Sequence, residues 1–353
     1  MKTKRRKSNP EKSFLRTIRR RIRTRKWILP AAAVVLAAVL IGVILIVIDR
    51  RNQDTMEFTA SEDAYVGSGY RDVIWQGDHY RYNNRITAIL MAGLDSEGDV
   101  KELAAYTMAP RSDSIQLVLL DQKTHKLKVV AINRDTMTLI RKYTLDGYNR
   151  GLLKDHLAWA FTYGNGGKVS CQNLCEAVSL LLYDIPIRDY VVVNRSSLGT
   201  LAEIIGPVEV TVPNDDLAEE DAAFTKGAKA VIDSGNLEWY VRSRDIEKAL
   251  SNTGRMERQR SYISAAMDQI LNKVSEDPTG VWKDMQKAED CMLTSLTRSR
   301  YMDLVRIMQD VSYSDEDYLQ LPGEQVSGEY HDEFYPDEEA LLQMVIDLFY
   351  IKQ

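Results

Sequence analysis

Cysteine, histidine, phenylalanine and proline are all scarce in this chain, at 3, 4, 6 and 9 residues of 353. The cysteines, Cys171, Cys175 and Cys291, are odd in number, so they cannot all pair and no disulfide framework is implied. Cys171 and Cys175 stand four apart in a predicted helix, which suits two small buried groups. The histidines (His79, His125, His156 and His331) are spread along the chain with no His-Glu-x-x-His, which removes the usual zinc spacings. No Gly-x-Ser-x-Gly elbow is present, so serine-hydrolase chemistry has no sequence support. Gly164-Asn-Gly-Gly-Lys168-Val-Ser170 has a phosphate-friendly composition, but it lacks the P-loop spacing and reads as a plain loop. There is no internal repeat.

Charge is missing from Trp27 to Ile48, and acid is nearly missing from what precedes it. The apolar run is 22 residues long; as a helix at ~1.5 Å per residue it reaches roughly 33 Å, enough to cross a bilayer core. Residues 1–26 carry thirteen Lys and Arg against Glu11 alone, which by the positive-inside rule places them in the cytoplasm and everything after Asp49 outside. The run ends in Val47-Ile-Asp-Arg-Arg51, with no small-residue cleavage site, so it reads as a retained anchor rather than a cleaved signal. Beyond it stand 33 basic and 50 acidic groups, a net of −17. An acidic exported part argues against binding nucleic acid. Residues 310–340 hold 11 acidic groups and no Lys or Arg, and are expected to face solvent.

Residues 49–73 read as a polar stalk. Short apolar, β-branched runs predict strands at 74–82, 86–91, 115–120, 127–132, 190–193 and 208–212. The polar turn 121–126 makes a hairpin of the third and fourth. Helices are expected over 153–163, 171–182, 197–205 and 255–274. Strands alternating with helices, plus one hairpin, indicate an α/β fold with an antiparallel element in its sheet.

Two places concentrate chemistry. Asp95 follows one predicted strand, Asp113 precedes the next in Arg111-Ser-Asp113, and Arg134-Asp135 ends the third. Strand ends of α/β sheets form ligand crevices, and converging carboxylates suit Mg²⁺ shared with phosphate. Each Asp equally suits a turn. If Asp95 and Asp113 do converge, their repulsion makes either amide replacement neutral or stabilising. The second place is Tyr240-Val-Arg-Ser-Arg244 with Gly254-Arg-Met-Glu-Arg-Gln-Arg260, a local excess of three positive charges between residues 240 and 260. Arginine pairs phosphate bidentately; the same pattern also fits a solvated, salt-bridged helix start.

In their order, these motifs resemble the LytR–CpsA–Psr family of bacterial cell envelopes. The residues are Ile89-Leu-Met-Ala-Gly-Leu-Asp95-Ser, Arg111-Ser-Asp113-Ser-Ile-Gln-Leu-Val and Val130-Ala-Ile-Asn-Arg134-Asp135-Thr136. Lys154, before Ala158-Trp-Ala-Phe161, comes next, then Tyr190-Val-Val-Val and Ile205-Gly-Pro-Val-Glu-Val-Thr-Val-Pro213. Tyr240-Val-Arg-Ser-Arg244 and Gly254-Arg255 with Arg258-Gln259 complete the series. The resemblance implies a three-layer α/β/α sandwich with a mixed central sheet, preceded by one transmembrane helix. It implies a catalytic domain over 74–275, with 276–353 an acidic extension packing on it. The implied activity is Mg²⁺-dependent transfer of a glycopolymer from a polyprenyl-diphosphate carrier to peptidoglycan, by a single-pass type II protein of the plasma membrane. Carried over residue by residue, Asp95, Asp113 and Arg134 are catalytic, with Asp95 and Asp113 the metal carboxylates. Arg111, Arg134, Lys154, Arg242, Arg244, Arg255 and Gln259 are diphosphate-binding. Three positions depart from the pattern: Ser96-Glu97 where Arg usually follows the first Asp, Gly206-Pro207 for a Gly pair, and Asn252 for an Asp. The last leaves the general base open, with Asp245 another carboxylate nearby. The contrasting expectation is an anchored, non-catalytic sensor of polyprenyl-linked precursors. A cytoplasmic part of about 26 residues is too short for a folded DNA-binding module.

Overall fold

The computed structural model describes residues 56–57, 72–245, 250–308 and 311–353. The expected cytoplasmic tail and anchor, and most of the expected stalk, lie outside these. Among the described residues no helix is long and apolar enough to cross a membrane.

Four strands open the order: β1 (Met56–Glu57), β2 (Val73–Trp75), β3 (Asp78–Tyr82) and β4 (Ile86–Leu94). After them come β5 (Ser112–Asp121), β6 (Leu127–Ile132), β7 (Met137–Tyr143), β8 (Asn149–His156), α1 (Trp159–Thr162), α2 (Lys168–Leu181) and β9 (Asp189–Asn194). The chain continues through α3 (Leu198–Ile205), β10 (Val208–Thr211), β11 (Lys229–Ile232), α4 (Leu237–Arg242), α5 (Asn252–Glu276) and α6 (Pro278–Met285). It closes with β12 (Met292–Thr294), α7 (Arg298–Met308), β13 (Tyr318–Gln320), β14 (Gly323–Ser327), β15 (Asp332–Pro336), α8 (Glu338–Phe349) and β16 (Tyr350–Lys352).

The central sheet runs β12-β9-β4-β5-β6-β13. It is mixed: β4 is parallel to β9 and antiparallel to β5, and β6 is antiparallel to β5 and parallel to β13. Successive side chains of a strand point to opposite faces, and β6 shows both faces covered. Val130 and Ile132 enter the main core with α2 and α8, whereas Leu127, Val129 and Ala131 pack with Met267 and Leu271 of α5. A separate cluster joins β10, β11, α4 and α5 through Val210, Ile232, Tyr240 and Ala266.

Two expectations change. The predicted helix 153–163 is instead the end of the β7–β8 hairpin, with only Trp159–Thr162 helical. Leu152 and Leu153 sit opposite Arg141 and Ile140 across the hairpin, and their spacing from Leu157, Ala160 and Phe161 imitates a helix face. The local signal was Asp146-Gly147, with Gly147 at φ +82°, a hairpin turn. Residues 310–340 are not wholly solvent-facing. Tyr318, Leu321 and Phe334 are buried, because β13 extends the central sheet alongside β6. Residues 276–353 supply β12 and β13 to that sheet and α8 to its core, and β16 pairs with β3. In the stretch expected as stalk, Met56–Glu57 pair with Val73–Ile74.

Candidate active site

One end of the central strands gathers the groups. The C-terminal end of β4, the N-terminal end of antiparallel β5 and the C-terminal end of β6 lie side by side. Between β4 and β5 the register slips: Gly93 faces Ser114 but Leu94 faces Ser112, so Asp113 is an extra, unpaired residue. Such a bulge bends the strand and re-aims its side chain. Asp95 is fixed next to it by its backbone N–H donating to the Arg111 carbonyl at 3.0 Å.

Above these strand ends stand the end of α4 and the start of α5. Gly254 lets α5 approach. A Cβ there would lie 2.0 Å from Asp216 Oδ2, and that carboxylate is held at 2.8 Å by the fully buried Arg258. Arg255 therefore enters the site from the first turn of α5, which contains no acidic residue. The positive end of the helix dipole adds to the cationic field there.

The resulting cleft, about 550 Å³, is lined by Asp95, Arg111, Asp113, Arg134, Gly235, Glu238, Trp239, Arg242, Ser243, Arg244 and Arg255. Arg242 Nη2 pairs with Asp95 Oδ1 at 2.7 Å and Arg111 Nη2 with Asp95 Oδ2 at 3.6 Å. Arg134 Nη1 holds Asp113 Oδ1, and Arg255 reaches Asp113 Oδ2 at 3.4 Å and its carbonyl at 3.0 Å. Arg244 donates to Ser251 Oγ at 3.1 Å, and the Arg111 guanidinium stacks 5.5 Å from the Trp159 ring. Five guanidiniums face three carboxylates, and one of the three, Glu238, is also shared with Arg195 outside the lining. The cleft is thus cationic within an acidic domain, a focusing arrangement for anions.

Arg255 is the most constrained of the five. It is 3 % exposed, and its Nε has no partner among the described residues. Burial pulls its guanidinium down to about 10; Asp113 opposes that, and Arg134 and Arg244 reinforce it. It remains charged at neutral pH, but at a cost that an incoming anion relieves.

Seven of the nine residues singled out from sequence line this cleft. Gln259 stands behind it, accepting from Ser114 Oγ at 3.3 Å and donating to the Val241 carbonyl at 3.1 Å. Lys154 is apart: it is exposed on β8 with its Nζ 5.7 Å from the centre of the Tyr335 ring. Glu238 and Trp239 were not singled out; Glu238 precedes Arg242 by four on one helix, the spacing of an ion pair, and the pair forms at 3.0 Å. Asn252, the departure from pattern, is buried. It donates to Asn133 Oδ1 at 2.9 Å and Asp135 Oδ2 at 3.3 Å, and accepts from Arg255 Nη2 at 2.7 Å. All three cysteines are free thiols. The fold does bring two distant histidines together, with the His156 and His331 ring centres 6.0 Å apart. Among the described residues no three His, Cys, Asp or Glu groups gather as a metal cage.

Comparison with known proteins finds relatives in sequence and in fold. TagU of Bacillus cereus, a polyisoprenyl-teichoic acid–peptidoglycan teichoic acid transferase, is 27 % identical over 239 residues, 67 % of this chain and 69 % of its own. The crystal structure of Bacillus subtilis TagV shares the fold with a TM-score of 0.53 at 22 % identity, over 75 % of this chain and 97 % of that one. TagT bound to LI-WTA does so with a TM-score of 0.55 at 21 % identity, over 75 % and 90 %. The LytR_cpsA_psr family model matches residues 55–348, and the chain belongs to the LytR_cpsA_psr family.

Proposed function

We propose that this protein moves a glycopolymer from a polyprenyl-diphosphate carrier to peptidoglycan, on the outer face of the plasma membrane. The observation that carries the reading is Arg255, a buried cation with an unpartnered nitrogen in a cleft where arginines outnumber carboxylates five to three. A diphosphate esterified at both ends has two ionised oxygens, an anion that a cationic cleft attracts. The relatives' names add the substrate class: TagU is named for transfer of polyisoprenyl-linked teichoic acid to peptidoglycan.

In the step proposed, an acceptor hydroxyl oxygen attacks the phosphorus attached to the glycopolymer. The bond from that phosphorus to the bridging oxygen breaks, polyprenyl phosphate leaves with the electron pair, and a phosphodiester forms. The hydroxyl proton passes to a base or to water. Such a transfer needs positioning and charge neutralisation more than covalent assistance. Arg134, Arg242, Arg244 and Arg255, which line the cleft, would hold the phosphoryl oxygens, with Arg111 at the Trp159 side. Asp95 and Asp113 would hold Mg²⁺. Two carboxylates supply the oxygen donors that Mg²⁺ prefers and leave the rest of its coordination to substrate oxygens and water. When bound, the ion would offset charge on the transferring group.

The anchor at 27–48 and the basic tail place the cleft outside the cell in this reading. The test uses the full chain in detergent micelles with a polyprenyl-diphosphate-linked glycan and Mg²⁺. Release of polyprenyl phosphate, with protease digestion of residues 52–353 from outside intact protoplasts, is the expected result. Tight donor binding with no release would favour the sensor instead, and full protection of residues 52–353 would refute the topology.

A further inference from the structure

Two of the cleft's arginines, Arg134 and Arg255, are bonded to a polar ring, part of which comes from the far end of the chain. Gln325 on β14 donates from Nε2 to Asp135 Oδ2 at 3.2 Å. Its Oε1 accepts from Thr253 Oγ1 at 3.1 Å and from Asn133 Nδ2 at 3.4 Å. Asp135 is 7 % exposed, and its other oxygen, Oδ1, receives Arg134 Nε at 3.1 Å. Asn252 closes the ring by donating to Asn133 and Asp135 while accepting from Arg255. Two cleft guanidiniums are therefore held from behind by one ring of amides around a single buried carboxylate.

The hairpin that carries Gln325 is docked at its own backbone. Phe334 N–H donates to the Asp135 carbonyl at 2.9 Å, and Phe334 bridges to Thr136. Gly323 allows the tight crossing, since a Cβ there would lie 2.3 Å from the Tyr335 carbonyl oxygen. Gln325 is thus presented from a strand fixed to the residues it serves.

We propose that Gln325 is a positioning residue of the cleft, acting through Asp135 on Arg134 and, with Asn252, on Arg255. The inference rests on the transfer reading above. The two amide N–H groups satisfy Asp135 Oδ2, so only Oδ1 engages Arg134, and Arg134 Nη1 stays on Asp113. Without the Gln325 donor, Oδ2 is a buried acceptor short of one partner. The carboxylate then rotates to share both oxygens with Arg134 and draws the guanidinium away from the cleft. Asn252 obeys the same logic: a carboxylate at that position would stand within 3.3 Å of Asp135 and would donate nothing.

The experiment measures kcat and KM for a polyprenyl-diphosphate-linked donor across pH, and calorimetric affinity for inorganic pyrophosphate, on the full chain in micelles. Groups that hold a ligating side chain in place typically cost about 10- to 100-fold in activity when removed. Gln325→Ala is expected to unfold cooperatively as wild type does, yet lose about 10-fold in kcat with a smaller change in KM. Gln325→Glu is the sharper variant. At the acid end, a proton shared with Asp135 lets the glutamate donate as the amide did, and turnover is near wild type. As pH rises the pair loses that proton, two carboxylates face each other, and kcat falls on a limb that wild type lacks. Glu324→Gln, exposed on the same strand, should change nothing. A Gln325→Ala protein with wild-type kcat, or a Gln325→Glu loss identical at every pH, overturns the inference. Should Gln325→Ala fail to fold, the pH limb of Gln325→Glu decides alone. Wild type with neither pyrophosphate affinity nor turnover would refute the diphosphate reading and this inference with it; active wild type beside pH-flat variants refutes the inference only.

Discussion

Asp95 and Asp113 differ in how deeply they and their partners are buried, and that difference predicts unequal costs of replacement. Mutual repulsion was the expectation from sequence, with amide replacement neutral or stabilising. In the structure each carboxylate is met by two arginines, so the dominant interaction is attraction. Asp113 is 15 % exposed at the side chain and its partners are well buried, so Asp113→Asn should cost about 1.5–3 kcal/mol of stability. Asp95 and its partners are about a third exposed, where ion pairs contribute about 0–1 kcal/mol, so Asp95→Asn should leave stability nearly unchanged. Urea unfolding in chelator-containing buffer checks both, and equal costs would show that burial does not separate the two. A similar contrast holds for arginines. Arg242→Ala and Arg255→Ala should each weaken pyrophosphate binding by about 1.5–3 kcal/mol, if a charged hydrogen bond to the ligand is lost. Only Arg255→Ala should also lower the unfolding midpoint appreciably, because it strips partners from Asp113 and Asn252.

At the scale of elements, Gly254 sets how closely α5 can lie on the 214–216 loop. In an exposed helix Gly→Ala stabilises by about 1 kcal/mol. Here the new methyl meets Asp216, a short side chain pinned to Arg258, so steric cost should win. Gly254→Ala is expected to destabilise by about 1–3 kcal/mol on denaturant titration; a gain would mean that Asp216 moves aside freely. The end of β8 and the C-terminal hairpin are joined by His156. Its ring nitrogens lie 3.1 Å from Asp155 Oδ1 and 3.1 Å from the Asp332 carbonyl, so a doubly protonated ring donates to both. The Asp155 hydrogen bond raises its pKa above the ordinary 6.5, against the downward pull of burial. Its contribution to stability is therefore complete below about pH 6.5 and is lost as pH rises through the raised value. The melting temperature of His156→Gln should fall furthest below wild type near pH 5.5 and approach it near pH 9. A gap that widened with pH would refute the charged clamp.

At the scale of the molecule, the last 78 residues supply structure that the preceding ones cannot replace. Leu341, Leu342, Val345, Ile346 and Phe349 of α8 are each 0–1 % exposed in the main core. At roughly 2 kcal/mol per buried side chain they contribute on the order of 10 kcal/mol, comparable with the whole stability of a domain. A fragment ending at Ser275 should therefore fail to unfold cooperatively in a thermal melt monitored by circular dichroism. A sharp two-state melt would show that residues 74–275 form a self-sufficient unit.

Much of this molecule was legible in its residues because the relevant forces are local or patterned. Short β-branched runs marked β4, β5, β6 and β9 within a few residues, since burial on both faces leaves an uninterrupted apolar signature. The strand-end motifs and the paired arginine segments pointed to the groups that line the cleft, because binding an anion calls for those residue types. A long charge-free run behind a basic arm is likewise a property of sequence alone. What the sequence left open depends on contacts between distant segments. The hairpin of β7 and β8 imitated a helix until its partner strand was known. Lys154 stands beside Tyr335 and outside the cleft lining for the same reason. No spacing rule could connect Gln325 to Asp135, 190 residues away, because a hydrogen bond requires only that two groups meet, and the fold alone decides which do.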